Sequence, residues 1–215
     1  MWNEQIIMML LEGIKDTLYM TLTSTLIGYV IGLPMGILLT VTDKDGIHPN
    51  AAVYKVLDVI ANLIRSVPFL ILLIVLIPFT RFLIGRSYGP TATIVPLVIA
   101  AAPYIARMVE SSLKEVDAGV IEAARSMGAS NFTIVTKVML VEARTSLIVG
   151  ATISLGTILG YSAMAGTVGG GGLGDIAIRY GYTRWQTDIM IVTVILLVIL
   201  FPFSYTHLRA HETEA

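Results

Sequence analysis

Continuous apolar stretches separated by short polar segments run the length of this chain. About 20 apolar residues cross a bilayer as a helix, and unbroken apolar character favours helices over alternating strands. We therefore predict an all-α membrane protein with five transmembrane helices, at residues 17–41, 50–80, 91–109, 146–168 and 189–203.

Proline and small residues shape three of these spans. Pro68 lacks an amide donor and disfavours helical geometry at the preceding residue, so it predicts a break within the second span. Pro96 and Pro103 in the third span require neighbouring helices that satisfy the freed carbonyl groups. In the fourth span, small residues four positions apart predict close helix contacts inside the bundle: Gly150 with Ser154, and Gly156 with Gly160.

Three further segments lie outside the spans. Residues 1–16 combine charges with an apolar stripe, which predicts a separate N-terminal interfacial helix. Residues 169–188, rich first in glycine and then in polar residues, are predicted to form a flexible or re-entrant loop. Residues 204–215 form an atypical polar tail, because Arg209 is its only lysine or arginine.

The composition supports a membrane protein. The chain is 55% hydrophobic and 13% charged, with a mean hydropathy of +0.81, whereas an ordinary globular domain has about 25% charged residues. Five spans in 215 residues leave no room for a second soluble domain. The formal net charge of -1 argues neither for nor against a nucleic-acid partner, and we predict none.

The sequence offers little chemistry for catalysis. Gly169, Gly171 and Gly174 match GxGxxG, but a membrane helix precedes them where that dinucleotide motif needs a strand. There is no GxxxxGK[ST] motif for nucleotide phosphates, and the three histidines are scattered. We therefore predict a chain that is not an enzyme and has no cofactor or metal of its own.

Four ionisable residues lie near predicted span ends: Asp58, Arg65, Arg107 and Glu110. One interpretation is an ion relay, but a relay needs charge at the middle of the bilayer, and none is predicted there. Asp58 and Arg65 are two helical turns apart, which suits a pair or snorkelling at the interface. We favour the structural role for these residues.

The longest polar interval, residues 110–144, must lie in water, because each of its charges would cost several kcal/mol in hydrocarbon. Gly119 and Gly128 predict the ends of a short helix at residues 120–127. Its apolar and charged residues occupy different sides: Ile121, Ala124 and Met127 on one, Glu122 and Arg125 on another. Spacing alone leaves open whether this helix is a docking surface or an ordinary loop helix.

The spacing of Glu122-Ala123-Ala124, Gly128, Val138 and Leu140 resembles the cytoplasmic coupling loop of ABC importer permeases. Nearly the whole chain, residues 14–200, more specifically resembles the permease subunit of methionine-type ABC importers, a five-helix member of the type I permease family. That closer resemblance is carried by residues 65–81, 101–110, 122–128 and 160–174. Val141 stands where the family usually has proline, so the loop helix is expected to continue unbent into the fourth span.

The resemblance implies a methionine importer in which two copies of this chain enclose the translocation pathway. Its partners would be a separate ATPase homodimer, which binds the ATP, and an extracytoplasmic substrate-binding protein, often a lipoprotein. By the same resemblance one set of residues contacts the ATPase: Glu122, Ala123, Ala124, Gly128 and Leu140. A second set lines or gates the pathway, with structural packing as the alternative: Tyr161, Ser162 and Met164.

If residues 110–144 are cytoplasmic, nine of the 14 basic residues lie on that side of the bacterial inner membrane. This favours an external N-terminus and a cytoplasmic C-terminus. Two other functions stay open. One is a permease for another small amino acid or a dipeptide, and the other is an ion-coupled secondary transporter, which needs a midplane carboxylate that the sequence lacks.

Overall fold

The structure, a computed structural model, describes the backbone of residues 4–209 and the side chains of residues 4–200. Every regular element in those residues is helical. The helices are α1 (Glu4–Thr42), α2 (Ala51–Ser66), α3 (Phe69–Val75), α4 (Ile77–Ile84), α5 (Pro90–Lys114), α6 (Ala118–Ser126), α7 (Asn131–Thr133), α8 (Leu140–Glu142), α9 (Arg144–Ala165), α10 (Gly172–Ile176) and α11 (Thr187–Arg209), with π-helical segments at Ile134–Met139 and Ala177–Tyr182.

Helices α1 and α5 pack against each other at close range. A glycine recurs every four residues on α1, and a Cβ added to any of the three would lie within 3 Å of an α5 side chain: Gly28, Gly32 and Gly36. At Gly32 the added carbon would lie 2.7 Å from the Ala102 carbonyl oxygen. Glycine is therefore required here so that the two backbones can touch.

On α1 the polar side chains face the bundle and large apolar side chains face outward, which is the reverse of a surface helix in a soluble protein. Small and hydroxyl side chains such as Thr21 and Ser24 are buried against the bundle. Large apolar side chains point outward, with Leu26 and Val30 each 68% exposed. This arrangement is typical of a helix whose outer face meets lipid or another apolar surface.

Pro68 breaks the second span as predicted. Helix α2 ends at Ser66, α3 begins at Phe69, and the two helices are bent by 102°. Val67 has the extended backbone that a residue before proline favours. The break carries the chain from α2 to Phe69, which is buried against α9.

The glycine-rich segment is a packed helical turn, so the prediction of a loop at residues 169–188 is wrong for most of its length. Gly169 and Gly171 turn the chain with positive φ angles of 78° and 83°, and α10 and a π-helical segment follow. The Thr17 hydroxyl accepts a hydrogen bond of 2.9 Å from the Leu173 amide. Glycine is needed because the turn presses directly against α1 and α9.

Gly150 and Gly160 of α9 do not make the predicted close contacts. Gly160 has open space around its Cα, and a Cβ on Gly150 would make only an ordinary contact of 3.5 Å with the Met108 side chain. Ser154 is buried, but its hydroxyl donates to the Gly150 carbonyl within the same helix. The close backbone approach lies instead between α1 and α5.

Several predicted boundaries also shift. Helix α1 continues without a break through residue 16, so the interfacial helix and the first span are one helix. Helix α11 extends through residues 204–209 of the predicted tail, whose remainder lies outside the described residues. By length and apolar composition the described residues contain three candidate spans, or four if the bent pair is one span, with Thr187–Leu200 as a shorter apolar helix.

We expect Gly32→Ala to destabilise the protein. Its Cβ would lie 2.7 Å from a backbone oxygen and 2.8 Å from Ile105 Cβ, so α1 and α5 must move apart. Overpacking of this kind costs about 1–3 kcal/mol. Thermal unfolding of detergent-solubilised protein should show a lower midpoint than for Gly150→Ala, where the added carbon fits. Equal midpoints for the two variants would contradict the tight α1–α5 contact.

Candidate coupling surface and pathway

Helix α6 is a defined short helix with a cap at each end. The Asp117 carboxylate accepts a hydrogen bond of 2.8 Å from the Gly119 amide, so the helix begins at Ala118, before the predicted glycine boundary. At the other end Gly128 has a φ of 79°. The amides of Gly128 and Ala129 donate to the carbonyls of Arg125 and Ala124, which completes a Schellman motif.

The five predicted ATPase-contact residues separate into two groups. Glu122, Ala123 and Gly128 are exposed, so they are available to a partner. Ala124 is buried in the hydrophobic core, and Leu140 is partly buried against it. Those two residues hold the segment onto the bundle and do not form its outer surface.

Two large apolar side chains extend the exposed surface. Met127 is 82% exposed, whereas Ala124, predicted to share its side of the helix, is buried. Phe132, at the start of α7, is 78% exposed. Sequence reasoning did not select Phe132, although an aromatic residue inside the one long polar interval was a usable signal. Exposed apolar groups beside a charge are typical of a protein interface.

A cavity of about 500 Å³ lies behind α6, between α6, the end of α5 and the loop that joins α1 to α2. The Arg125 guanidinium crosses this region and donates a hydrogen bond of 2.9 Å to the Ile47 carbonyl oxygen. Helix α6 is thereby tied to the α1–α2 loop. Glu122 lies on the rim of the same cavity.

A continuous series of ion pairs, the charge chain, joins α1, α5 and α2 next to this cavity. Lys114 contacts Asp43 at 2.7 Å and Glu110 at 2.8 Å. Arg107 contacts Glu110 at 2.6 Å and also pairs with Asp58. Asp58, Arg107 and Glu110 are thus paired with one another, and the partner of Asp58 is Arg107 and not Arg65.

The predicted pathway residues point in different directions. The Tyr161 ring stacks on the Phe69 ring, with centroids 4.4 Å apart and planes 6° apart. Met164 is 51% exposed on the outside of the subunit. Ser162 is buried against α1, with its hydroxyl donating 2.8 Å to the Leu159 carbonyl and lying 3.4 Å from Thr21 Oγ1. Ser162 therefore packs the bundle, which is the alternative that the sequence left open for this set.

The helical connection from α7 to α9 has one interruption. Helical backbone runs from α7 through Ile134–Met139 and α8 to Glu142, and Ala143, with φ -80° and ψ 1°, separates it from α9. The Leu147 amide still donates to the Ala143 carbonyl at 2.9 Å. The sequence predicted that, with Val141 in place of proline, the loop helix continues unbent into the fourth span. The helix is interrupted at Ala143, so it is not fully continuous.

The charge chain predicts a pH effect on stability. The hydrogen bond from the Lys114 ammonium lowers the pKa of the Asp43 carboxyl below its ordinary value. A lowered pKa stabilises the folded state above the unfolded pKa of about 3.9, and that contribution is lost as the pH falls through the folded value.

We therefore expect Asp43→Asn to lower the thermal unfolding midpoint at pH 7, and the gap from the parent protein to narrow below about pH 4. Asp45→Asn is the control, because Asp45 is exposed and lies 3.7 Å from an exposed Lys44. A gap for Asp43→Asn that stays constant from pH 7 to pH 3 would contradict this account.

Solved structures have the same fold. The chain superimposes on a structure titled "Inward facing conformations of the MetNI methionine ABC transporter" with a TM-score of 0.95 and 47% identity, covering 97% of each chain. It also matches an amino acid ABC transporter structure with a TM-score of 0.80 and 21% identity, covering 98% of this chain and 96% of that one. The second likeness shows the fold alone.

Curated relatives are similar over most of their length. The probable D-methionine transport system permease protein MetI of Vibrio cholerae is 47% identical, covering 89% of this chain and 85% of the relative. The D-methionine transport system permease protein MetI of Escherichia coli K12 is 51% identical, covering 76% of each. Residues 16–211 match the family described as the binding-protein-dependent transport system inner membrane component. The chain belongs to this family of inner-membrane transport permeases and has its all-helical type I ABC permease fold.

Proposed function

We propose that this chain is the permease subunit of an ATP-driven methionine importer. The observation that carries the proposal is the 0.95 TM-score at 47% identity with the permease chain of a methionine ABC transporter over nearly the whole length. The capped, exposed helix α6 adds a physical reason, because it is a rigid surface through which a partner could move the bundle. The chain has no catalytic role, and it binds no cofactor.

The ATPase is a separate polypeptide that docks on α6. The sequence lacks a GxxxxGK[ST] motif, so nucleotide is bound by this partner. Glu122 supplies a charge for orientation, while Ala123 and Gly128 keep the surface shallow. Met127 and Phe132 provide apolar contact area at its edge. Closure of an ATPase dimer on ATP would bring two such surfaces together and rock the bundles.

Two copies of the chain form the transporter. Large apolar side chains cover the outside of α1, α2 and α11, and lipid together with a second copy would cover them. Five spans result if the bent α2–α3 pair and α11 both cross the bilayer in addition to the three longer helices. The N-terminus would then be external and the C-terminus cytoplasmic, which puts most basic residues inside.

The translocation pathway runs beside α3 and α9. Tyr161 and Met164 lie three residues apart on α9, and the stacked Phe69 ring closes the space next to Tyr161. Aromatic and thioether groups suit the apolar side chain of methionine. An extracytoplasmic binding protein, typically a lipoprotein, would release the substrate at the outer opening.

We expect Gly128→Arg to abolish methionine uptake and leave membrane insertion intact. Arginine at a φ of 79° costs about 1–2 kcal/mol, and its side chain would project from the docking surface. Gly85→Arg is the matched control, since Gly85 has a φ of 82° with equally open surroundings but follows α4 at the other end of α5. Equal uptake by the two variants, measured in membrane vesicles, would contradict docking at α6.

Purification of a tagged copy in mild detergent with nucleotide present should recover a second untagged copy and an ABC ATPase. In proteoliposomes, ATP and the binding protein should drive accumulation of labelled methionine. Uptake of another amino acid or a dipeptide in preference to methionine would favour the related permease function. Uptake driven by an ion gradient, with no ATPase in the complex, would overturn the proposal.

A further inference from the structure

Helix α2 is attached to the bundle by polar groups in addition to half-buried apolar side chains such as Ile64. Ala61 is its only buried residue, and apolar side chains on its outer side, including Val56 and Leu63, are exposed. The side that faces α5 carries Asp58 and Asn62. The polar contacts with α5 therefore add to the packing of Ile64 in fixing where α2 lies.

Arg107 of α5 makes all of those polar contacts at once. One terminal nitrogen of its guanidinium pairs with Asp58 and donates 3.0 Å to the Asn62 side-chain oxygen. The other donates 2.6 Å to Glu110, which is itself buried. Asn62 also donates 3.1 Å to Asp58, so the two α2 groups form one acceptor for the arginine. A planar guanidinium can bind acceptors on two helices through its two terminal nitrogens, whereas the single ammonium of a lysine cannot do so in the same geometry.

The two ends of α2 lead to the two sites of the proposed transporter. Its first end follows the α1–α2 loop, which Arg125 of α6 holds through the Ile47 carbonyl. Its second end runs through the 102° bend to Phe69, which stacks on Tyr161. A helix that is held on its neighbours between its ends and linked at both ends can transmit a displacement as a rigid body.

We propose that Arg107 is a positioning residue: it fixes α2 on α5, so that movement of α6 is passed through α2 to the Phe69–Tyr161 stack. This inference rests on the proposed function, since it assigns a route between the ATPase surface and the pathway of that transporter. It assigns Asp58 and Asn62 the role of holding α2, and it assigns no substrate contact to any of the three.

Asp58→Asn is the first test, because it removes one charge from the contact with little change in shape. In the reconstituted complex with its ATPase, we expect ATP hydrolysis to stay within about twofold of the parent, while methionine transported per ATP falls about tenfold, within the range for coupling-network substitutions. Arg107→Lys should also lower methionine transported per ATP while ATP hydrolysis changes little, but the fall should be smaller than for Asp58→Asn. Asp45→Asn, the same substitution in the exposed Lys44–Asp45 pair, should change neither quantity.

Spin labels separate positioning from simple loss of structure. The chain has no cysteine, so Val56→Cys on α2 and Lys137→Cys in the π-helical segment Ile134–Met139 can each be labelled alone, and each reports one distance between the two copies. Lys137 is exposed and lies outside the residues proposed to contact the ATPase. In the parent complex both distances should change when ATP is trapped. With Asp58→Asn the Lys137 distance should still change, whereas the Val56 distance should not follow it.

Methionine transported per ATP that matches the parent in Asp58→Asn, or a Val56 distance that responds to ATP as in the parent, would overturn the inference. A fall in ATP hydrolysis and complex recovery together, with no change in methionine per ATP, would show a structural role only and would also overturn it. Failure of the parent complex itself to couple ATP to methionine uptake would instead refute the proposed function.

Discussion

Close contact between α1 and α5 is the constraint on which the rest of the structure depends. A bilayer provides no hydrophobic driving force between helices, so van der Waals packing and hydrogen bonds must hold them together. Gly28, Gly32 and Gly36 allow the α1 backbone to touch α5, and Thr17 of α1 accepts a hydrogen bond from the α10 amide of Leu173. The remaining helices are arranged around this pair, and some of their large apolar side chains, such as Phe69 and Ile158, complete the core.

The longest connected series of ion pairs among the described residues lies at the end of the bundle where α6 is, because ionised groups must stay near water or be paired. Ionised groups are costly in hydrocarbon unless they are paired, and the charge chain from Asp43 to Asp58 pairs every member. Its position between the α1–α2 loop, α5 and α2 puts the strongest polar contacts of the bundle beside the surface proposed for the ATPase. The cost of unpaired charge in the membrane thus accounts for the connected ion pairs at the α6 end. Between the spans, small residues such as the α1 glycines allow the helices to pack closely.

Local rules predicted the elements better than the contacts between them. The break at Pro68 and the helix next to Gly128 follow from backbone chemistry that is readable in the sequence. The packed turn at Gly172 and the partner of Asp58 depend on which helices become neighbours, and periodicity carries no such information. Glycines in α1 and α9 have similar spacing, yet a Cβ on Gly32 would meet the α5 backbone, whereas one on Gly150 or Gly160 would find room. A charged residue in a long polar interval is expected at the surface, and Glu122 is exposed. Ser162 is next to the stacked Tyr161 and yet is buried, because its exposure depends on which helix packs beside it.

The central claim is that α6 lies in the cytoplasm, at the opposite end of the bundle from the α4–α5 loop. Single cysteines at Met127 and at Tyr88, both exposed positions, can be treated with a membrane-impermeant maleimide in a chain that has no cysteine of its own. In inverted vesicles stripped of peripheral proteins, Met127→Cys should react and Tyr88→Cys should not, and the pattern should reverse in spheroplasts. Reaction of Met127→Cys in intact spheroplasts would contradict the account.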